Sequence, residues 1–141
     1  MAIIKKTAVS NEAPVILLVE DNLVALRFVE TIVSQAGCRF ISATDGEKAL
    51  ELAKNDIFDL IITDIGLPGI SGVELTYLIR EWEKSLKKTE IPIIGLTAHD
   101  LGESEGKCLQ AGMNKVFSKP LYLHQMQELV AQHIINRTLS L

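Results

Sequence analysis

Leu60-Ile61-Ile62-Thr63-Asp64 is a short apolar run that ends on a carboxylate just before the breakers Gly66, Pro68 and Gly69. It is too short for a typical helix. A run of this length bounded by turn residues reads as a fully buried strand, of the kind found inside a parallel sheet. Asp64 is then the first polar group beyond the strand's carboxyl end, the edge at which open α/β sheets bind ligands. The competing reading is a turn or helix cap, because Asp is common where a strand gives way to a turn.

Outward from this run the chain alternates. Residues 15–19, after Pro14, are an unbroken aliphatic strand. Residues 23–36 place Leu23, Leu26, Val29, Ile32, Val33 and Ala36 on one helix face, with Gly37 as the stop. Residues 40–43 form a second strand. Thr44 or Asp45 caps the next helix, which turns Ala49, Leu50, Leu52 and Ala53 inward. After Asp64 the loop runs to Ser71, and Val73, Leu75, Leu78, Ile79 and Trp82 trace a third helix that gives way to the charged, exposed stretch Lys84-Ser85-Leu86-Lys87-Lys88. Residues 91–97 are a fourth strand, with Pro92 tolerated near its start. Residues 101–111 make a weak helix, since Gly102 and Gly106 each cost about 1 kcal/mol against Ala. Residues 115–118 are a fifth strand, and 121–135 a closing helix with Leu121, Met126, Leu129, Val130 and Ile134 inward. Five strands alternating with five helices predict an α/β fold, a doubly wound parallel sheet with right-handed crossovers. No internal repeat or low-complexity segment competes.

The 141 residues suit one domain, placed at 14–135, with 1–13 as a tail or linker and 136–141 as a C-terminal tail. A hydrophobic content of 48% excludes a disordered chain, and no apolar run approaches the ~20 residues of a membrane helix. No membrane contact is expected. A net charge of −4 argues against a general nucleic-acid binder, which wants a basic surface. Cys38 and Cys108 stand 70 residues apart with no CxxC pair, as free thiols of a reducing compartment do. The N-terminal apolar stretch is too short for a signal peptide, and a cytoplasmic location is expected.

In such a sheet every strand ends on the same edge. Glu20, Asp21 and Asn22 follow the first strand, Asp64 the third, Thr97 and Ala98 the fourth, and Lys119 the fifth. Carboxylates that face each other repel unless they share a cation. Few hard oxygen ligands with room for water suit Mg²⁺, held by Asp21 and Asp64 with Glu20 acting on one of its waters. Asp64 would then be free to attack phosphorus as a nucleophile, and Lys119 and the Thr97 hydroxyl would meet the charge on the phosphoryl oxygens. Singly, each residue has a plainer reading. Glu20-Asp21 is a helix cap, Thr97 a strand-end hydroxyl, and Lys119 a solvated charge beside a Pro120 that marks a helix start. The coincidence of four strand ends favours chemistry.

Leu17-Leu18-Val19-Glu20-Asp21-Asn22, Asp64-Ile65-Gly66-Leu67-Pro68-Gly69 with Gly72, Leu96-Thr97-Ala98-His99, and Ala111-Gly112-Met113 leading to Ser118-Lys119-Pro120-Leu121 together resemble the receiver domain of two-component response regulators over about residues 14–135. The resemblance implies a flavodoxin-like sheet of strand order 2-1-3-4-5. It implies that Asp64 accepts phosphate from a histidine kinase or histidine phosphotransfer domain, and that Glu20, Asp21, Asp64 and the Gly66 carbonyl hold Mg²⁺. Thr97 would follow the phosphoryl group and Lys119 would pair with it. The wording Leu-Thr-Ala-His and Ser-Lys-Pro-Leu is similar to receivers of hybrid sensor kinases, the alternative being a freestanding regulator. A weak homodimer through the fourth helix and fifth strand is also implied. As an enzyme such a domain at most catalyses its own phosphorylation and dephosphorylation.

One position departs from the pattern. Val116 stands where most receivers carry an aromatic residue, and Phe117, its neighbour, points to the opposite face of a strand. The weak helix at 101–111 is the candidate moving part. His99, two residues past Thr97, either positions a water near Asp64 or is an exposed loop histidine, and His124 and His133 read as surface residues. Two rivals remain, a flavodoxin and a receiver that binds partners without being phosphorylated. Against the first, the acidic loop Glu20-Asp21-Asn22 would repel a flavin phosphate.

Overall fold

The structure is a computed structural model and describes residues 12–99 and 101–135. Five parallel strands, β1 (Val15–Val19), β2 (Arg39–Ala43), β3 (Leu60–Asp64), β4 (Ile93–Thr97) and β5 (Lys115–Ser118), lie in the order β2-β1-β3-β4-β5, as expected. They alternate with α1 (Leu23–Gln35), α2 (Gly46–Asn55), α3 (Gly72–Ser85), α4 (Leu101–Ala111) and α5 (Leu123–Val130), the last running on into a π-helical turn at Ala131–Ile135.

Neighbouring residues of a strand face opposite sides of the sheet, so the aliphatic runs feed two cores at once. Ile16, Leu18, Ile62 and Leu96 pack with α1 and α5 through Val29, Val33, Met126 and Leu129. Leu17, Val19, Ile61 and Ile93 pack on the other face with Ala49 of α2, Leu75 and Ile79 of α3 and Cys108 of α4. Cys38 and Cys108 are free and buried, one in each core. Burial, aided by the charge of Asp59, pushes the Cys38 thiol up to about 11. Burial and then the charge of Glu105 raise that of Cys108.

Three helices start on side-chain caps. Asn22 Oδ1 accepts from the Ala25 N–H at 2.9 Å, Asp45 Oδ1 from Lys48 at 2.7 Å and Ser71 Oγ from Glu74 at 3.1 Å. Each such cap is worth about 1 kcal/mol. Asp45, not Thr44, caps α2, and Asn22, not Glu20 or Asp21, caps α1.

Some boundaries differ from expectation for local reasons. The fourth strand begins at Ile93, not Ile91, because the Ile91 N–H is taken by Glu83 Oε2 at 2.8 Å and Pro92 has no N–H to give. β2 starts one residue early, at Arg39, whose N–H donates to the Pro14 carbonyl and whose guanidinium donates to the Ala13 carbonyl. The closing α-helix begins at Leu123, not at Leu121. Leu121 is buried in the core, and the N–H of extended Tyr122 bonds to the Gln125 side chain. His133 is half-buried, not a surface residue.

Trp82, expected on the inner side of α3, is half-buried, and the buried charged groups of the helix are Arg80 and Glu83. Arg80 Nη1 meets Glu83 Oε1 at 2.8 Å, Nε donates to the Gly112 carbonyl at 3.0 Å, and Nη2 donates to Asn114 Oδ1 at 3.0 Å. One guanidinium thus joins the end of α3 to the exit of α4 and the entry of β5. Glu83→Ala leaves that cation buried without its carboxylate. The variant is expected to lose about 3–5 kcal/mol in urea unfolding, the usual cost of breaking a buried pair. A loss below about 1 kcal/mol, the ceiling for an exposed pair, would show that the ion pair carries little.

Candidate functional site

Four strand ends build the site at the carboxyl edge of the sheet. Asp64 closes β3, the strand between β1 and β4, and is 9% exposed. Its own backbone is locked. Thr63 Oγ1 donates to the Asp64 carbonyl at 2.9 Å, the Ile65 N–H donates to Leu96 on β4, and the Gly72 N–H donates back to Ile65. Gly72 is required there by close approach, since a Cβ on it would lie 2.3 Å from the Asp64 carbonyl oxygen. The start of α3 is therefore pressed against the Asp64 backbone.

Glu20 follows β1 and is 5% exposed, while Asp21 beside it is exposed. The Glu20 N–H donates to the Ala43 carbonyl, and Glu20 Oε2 accepts from the Asn22 N–H at 3.1 Å. Because Asn22 serves as the cap of α1, both carboxylates are left for the pocket. One oxygen from each of Glu20, Asp21 and Asp64 lies within 4.8 Å of the others. Three hard oxygen donors, one of them exposed so that water completes the shell, fit an ion of the Mg²⁺ type. Gly66, also exposed, has nothing within 4 Å of where a side chain would begin, so the loop leaves the pocket open.

Lys119 supplies the cation. Its Nζ lies 2.5 Å from Glu20 Oε1 and 3.3 Å from Asp64 Oδ1. Burial pulls its pKa down, but the hydrogen bond to Glu20 and the charges of Asp64 and Glu20 outweigh that, and the ammonium titrates above its ordinary 10.5. Thr97 is 3% exposed, and its Oγ1 accepts from the His99 N–H at 3.1 Å. The Lys119 N–H donates to the Thr97 carbonyl at 2.8 Å, which couples the ends of β4 and β5. Glu20, Asp21, Asp64 and Lys119 thus converge, and Thr97 stands at the same edge, tied to Lys119 through the backbone.

The arrangement can neutralise an anion held against Asp64. His99 is exposed, and its contact with Thr97 is through the backbone. His124 is exposed and stacked on the Tyr122 ring at 6.0 Å. Burial and the charge of Lys115 lower the pKa of half-buried His133. Reading the sequence missed a cavity of about 420 Å³ beside the pocket, lined by Val24, Phe28, Val29, Pro120 and Leu121 with Glu20 and Lys119 at its side. The exposed apolar Val24 and Phe28 on α1 were the available signal.

The family model for the response regulator receiver domain matches residues 16–131. The chain is 33% identical over 121 residues to the sensor histidine kinase GacS of Pseudomonas protegens, covering 86% of this chain and 13% of that one. It is 32% identical to the sensor histidine kinase RcsC of Salmonella typhi, covering 89% and 13%. The chain thus spans 13% of the length of these relatives. Among solved structures, the receiver domain of sensor histidine kinase PA1611 from Pseudomonas aeruginosa, with a magnesium ion in its active-site cleft, is 35% identical with a TM-score of 0.77, covering 86% of this chain and 98% of that one. The receiver domain of Saccharomyces cerevisiae Ssk1, crystallised with the histidine phosphotransfer protein Ypd1, matches with a TM-score of 0.79 and 25% identity, covering 88% and 92%.

Because the Lys119 pKa is raised by folding, its ion pairs contribute stability in full below the ordinary lysine value of 10.5. That contribution is lost as pH rises through the higher folded value. Unfolding free energies of the wild type and Lys119→Met, compared from pH 8 to strongly alkaline solution, are expected to converge or cross above pH 10.5. A difference that stays constant across this range would show that the pairs do not stabilise the fold.

Proposed function

The chain belongs to the response regulator receiver domain family, and from that premise we propose that Asp64 is its phosphoacceptor and that Glu20, Asp21, Asp64 and the Gly66 carbonyl hold Mg²⁺. The observation that carries this reading is the convergence of three carboxylates within 4.8 Å around a lysine that stands 3.3 Å from Asp64 Oδ1. Mg²⁺, when bound, supplies charge neutralisation at the phosphoryl oxygens.

In the proposed step a carboxylate oxygen of Asp64 attacks phosphorus, and the phosphorus–nitrogen bond of a phosphohistidine breaks. The electron pair stays on the imidazole, which takes up a proton. Lys119 exchanges its contact with Asp64 for one with a phosphoryl oxygen. The Thr97 hydroxyl oxygen accepts from the His99 N–H, which leaves its proton free to donate to another phosphoryl oxygen. The donor is a histidine kinase or histidine phosphotransfer domain, in keeping with the likeness to a receiver crystallised with such a protein. The exposed side chains of Leu23, Val24 and Phe28 and the neighbouring cavity offer that partner an apolar rim beside Asp64.

The likeness to GacS and RcsC supports a place in a hybrid sensor histidine kinase, with 14–135 as the receiver unit. The two buried free thiols accord with a cytoplasmic, reducing location.

Incubation with Mg²⁺ and a small phosphodonor such as acetyl phosphate, followed by intact-mass measurement, is expected to add one phosphoryl group to the wild type and none to Asp64→Ala. An unchanged mass in the wild type, or an equal gain in the variant, would overturn the assignment.

A further inference from the structure

The pocket is joined to α4 by a contact that the strand pattern alone does not show. β4 has one residue without a side chain, Gly95, two positions before Thr97 and paired with Val116 of β5. A methyl group built on Gly95 would lie 2.6 Å from Met113 Sδ, 3.3 Å from Met113 Cε and 3.4 Å from Ile65 Cγ1. The thioether of Met113 therefore rests in the notch over Gly95, beside Ile65, the residue that follows Asp64. Met113 is 4% exposed. Its N–H donates to the Cys108 carbonyl at 3.0 Å, so its backbone closes the end of α4.

α4 is lightly held. Among the described side chains of the helix, Cys108 alone is fully buried, and Leu101 packs partly against the same core. Val116 is buried on this face of the sheet and Phe117 lies against the other core, so no aromatic ring of β5 occupies the space that Met113 fills.

We propose that Met113 is the side chain that couples the Asp64 pocket to α4. The inference rests on the reading of Asp64 as phosphoacceptor. An unbranched thioether repacks at small cost, and close-packed interiors favour discrete arrangements over gradual deformation. Met113 is seated over Gly95 in the resting state. When Ile65 and the Thr97 end of β4 draw in around a phosphoryl group, the notch narrows, the thioether leaves it, and the last turn of α4 follows.

The test is hydrogen exchange of the α4 peptides with and without Mg²⁺ and acetyl phosphate, with intact mass measured on the same samples. In the wild type, phosphorylation is expected to change α4 exchange by roughly threefold or more. Met113→Ala is expected to gain the phosphoryl group to the same extent while losing that change. Gly95→Ala puts a methyl group 2.6 Å from the Met113 sulfur, too close to keep, and displaces a flexible side chain, so α4 is expected to exchange faster without any donor. The double variant Gly95→Ala/Met113→Ala removes the clash and is expected to return to the resting rate. A fully phosphorylated Met113→Ala protein whose α4 responds undiminished would overturn the proposal. So would a Gly95→Ala effect that the double variant retains. An unchanged wild-type mass would instead overturn the phosphoacceptor reading, and the Gly95→Ala pair, which needs no phosphate, would then judge the Met113 coupling alone.

Discussion

Like charges at the end of a parallel sheet set the terms for everything near them. Glu20, Asp21 and Asp64 bring carboxylate oxygens within 4.8 Å of one another. At the effective dielectric of a protein surface two unit charges about 4 Å apart interact by about 4 kcal/mol, several times the worth of a helix cap. Lys119 offsets part of that repulsion by pairing with both Glu20 and Asp64. The same balance makes the edge receptive to a second cation and then to an anion, because each added charge relieves the repulsion left by the others.

Holding those groups in place is the task of a rigid frame. The two cores bury β1 and β3 from both faces, and burying each large aliphatic side chain is worth about 1.5–3 kcal/mol. At the opposite edge Arg80 joins α3 to Asn114, whose Oδ1 also accepts from the Ile93 N–H, so β4 and β5 are tied where they begin. They are tied again where they end, through the Lys119 N–H and the Thr97 carbonyl. Loops borne on such strands can carry charged groups with little freedom to relax apart.

The frame is not equally stiff everywhere. α3 buries Leu75, Thr76, Ile79, Arg80 and Glu83, while α4 commits little more than Cys108 to the core and carries Gly102 and Gly106 in its length. An element held this lightly can shift at modest cost while the sheet beneath it stays fixed. Val116 and Met113 are buried in the same core that Cys108 of that element enters.

Much of this was legible in the residues because buried parallel strands are written as short apolar runs bounded by turn residues, as at 15–19 and 60–64, and the expected bounds of these two and of 115–118 match the observed strands residue for residue. The gathering of Glu20, Asp21, Asp64, Thr97 and Lys119 at one edge follows from alternation alone, since strands joined by helical crossovers run parallel and all end on the same side. What the residues could not show was which polar group would meet which. Arg80 and Glu83 look like surface charges on a helix until the exit of α4 closes over them. Tyr122 looks helical until Leu121 is drawn into the core. Nothing in the spacing of Gly95 and Met113 says that one fills the space the other leaves open. Periodicity carries the local rules of backbone and burial, and therefore the elements and their order. The pairing of a side chain with a partner dozens of residues away depends on how those elements pack, and only the tertiary structure decides it.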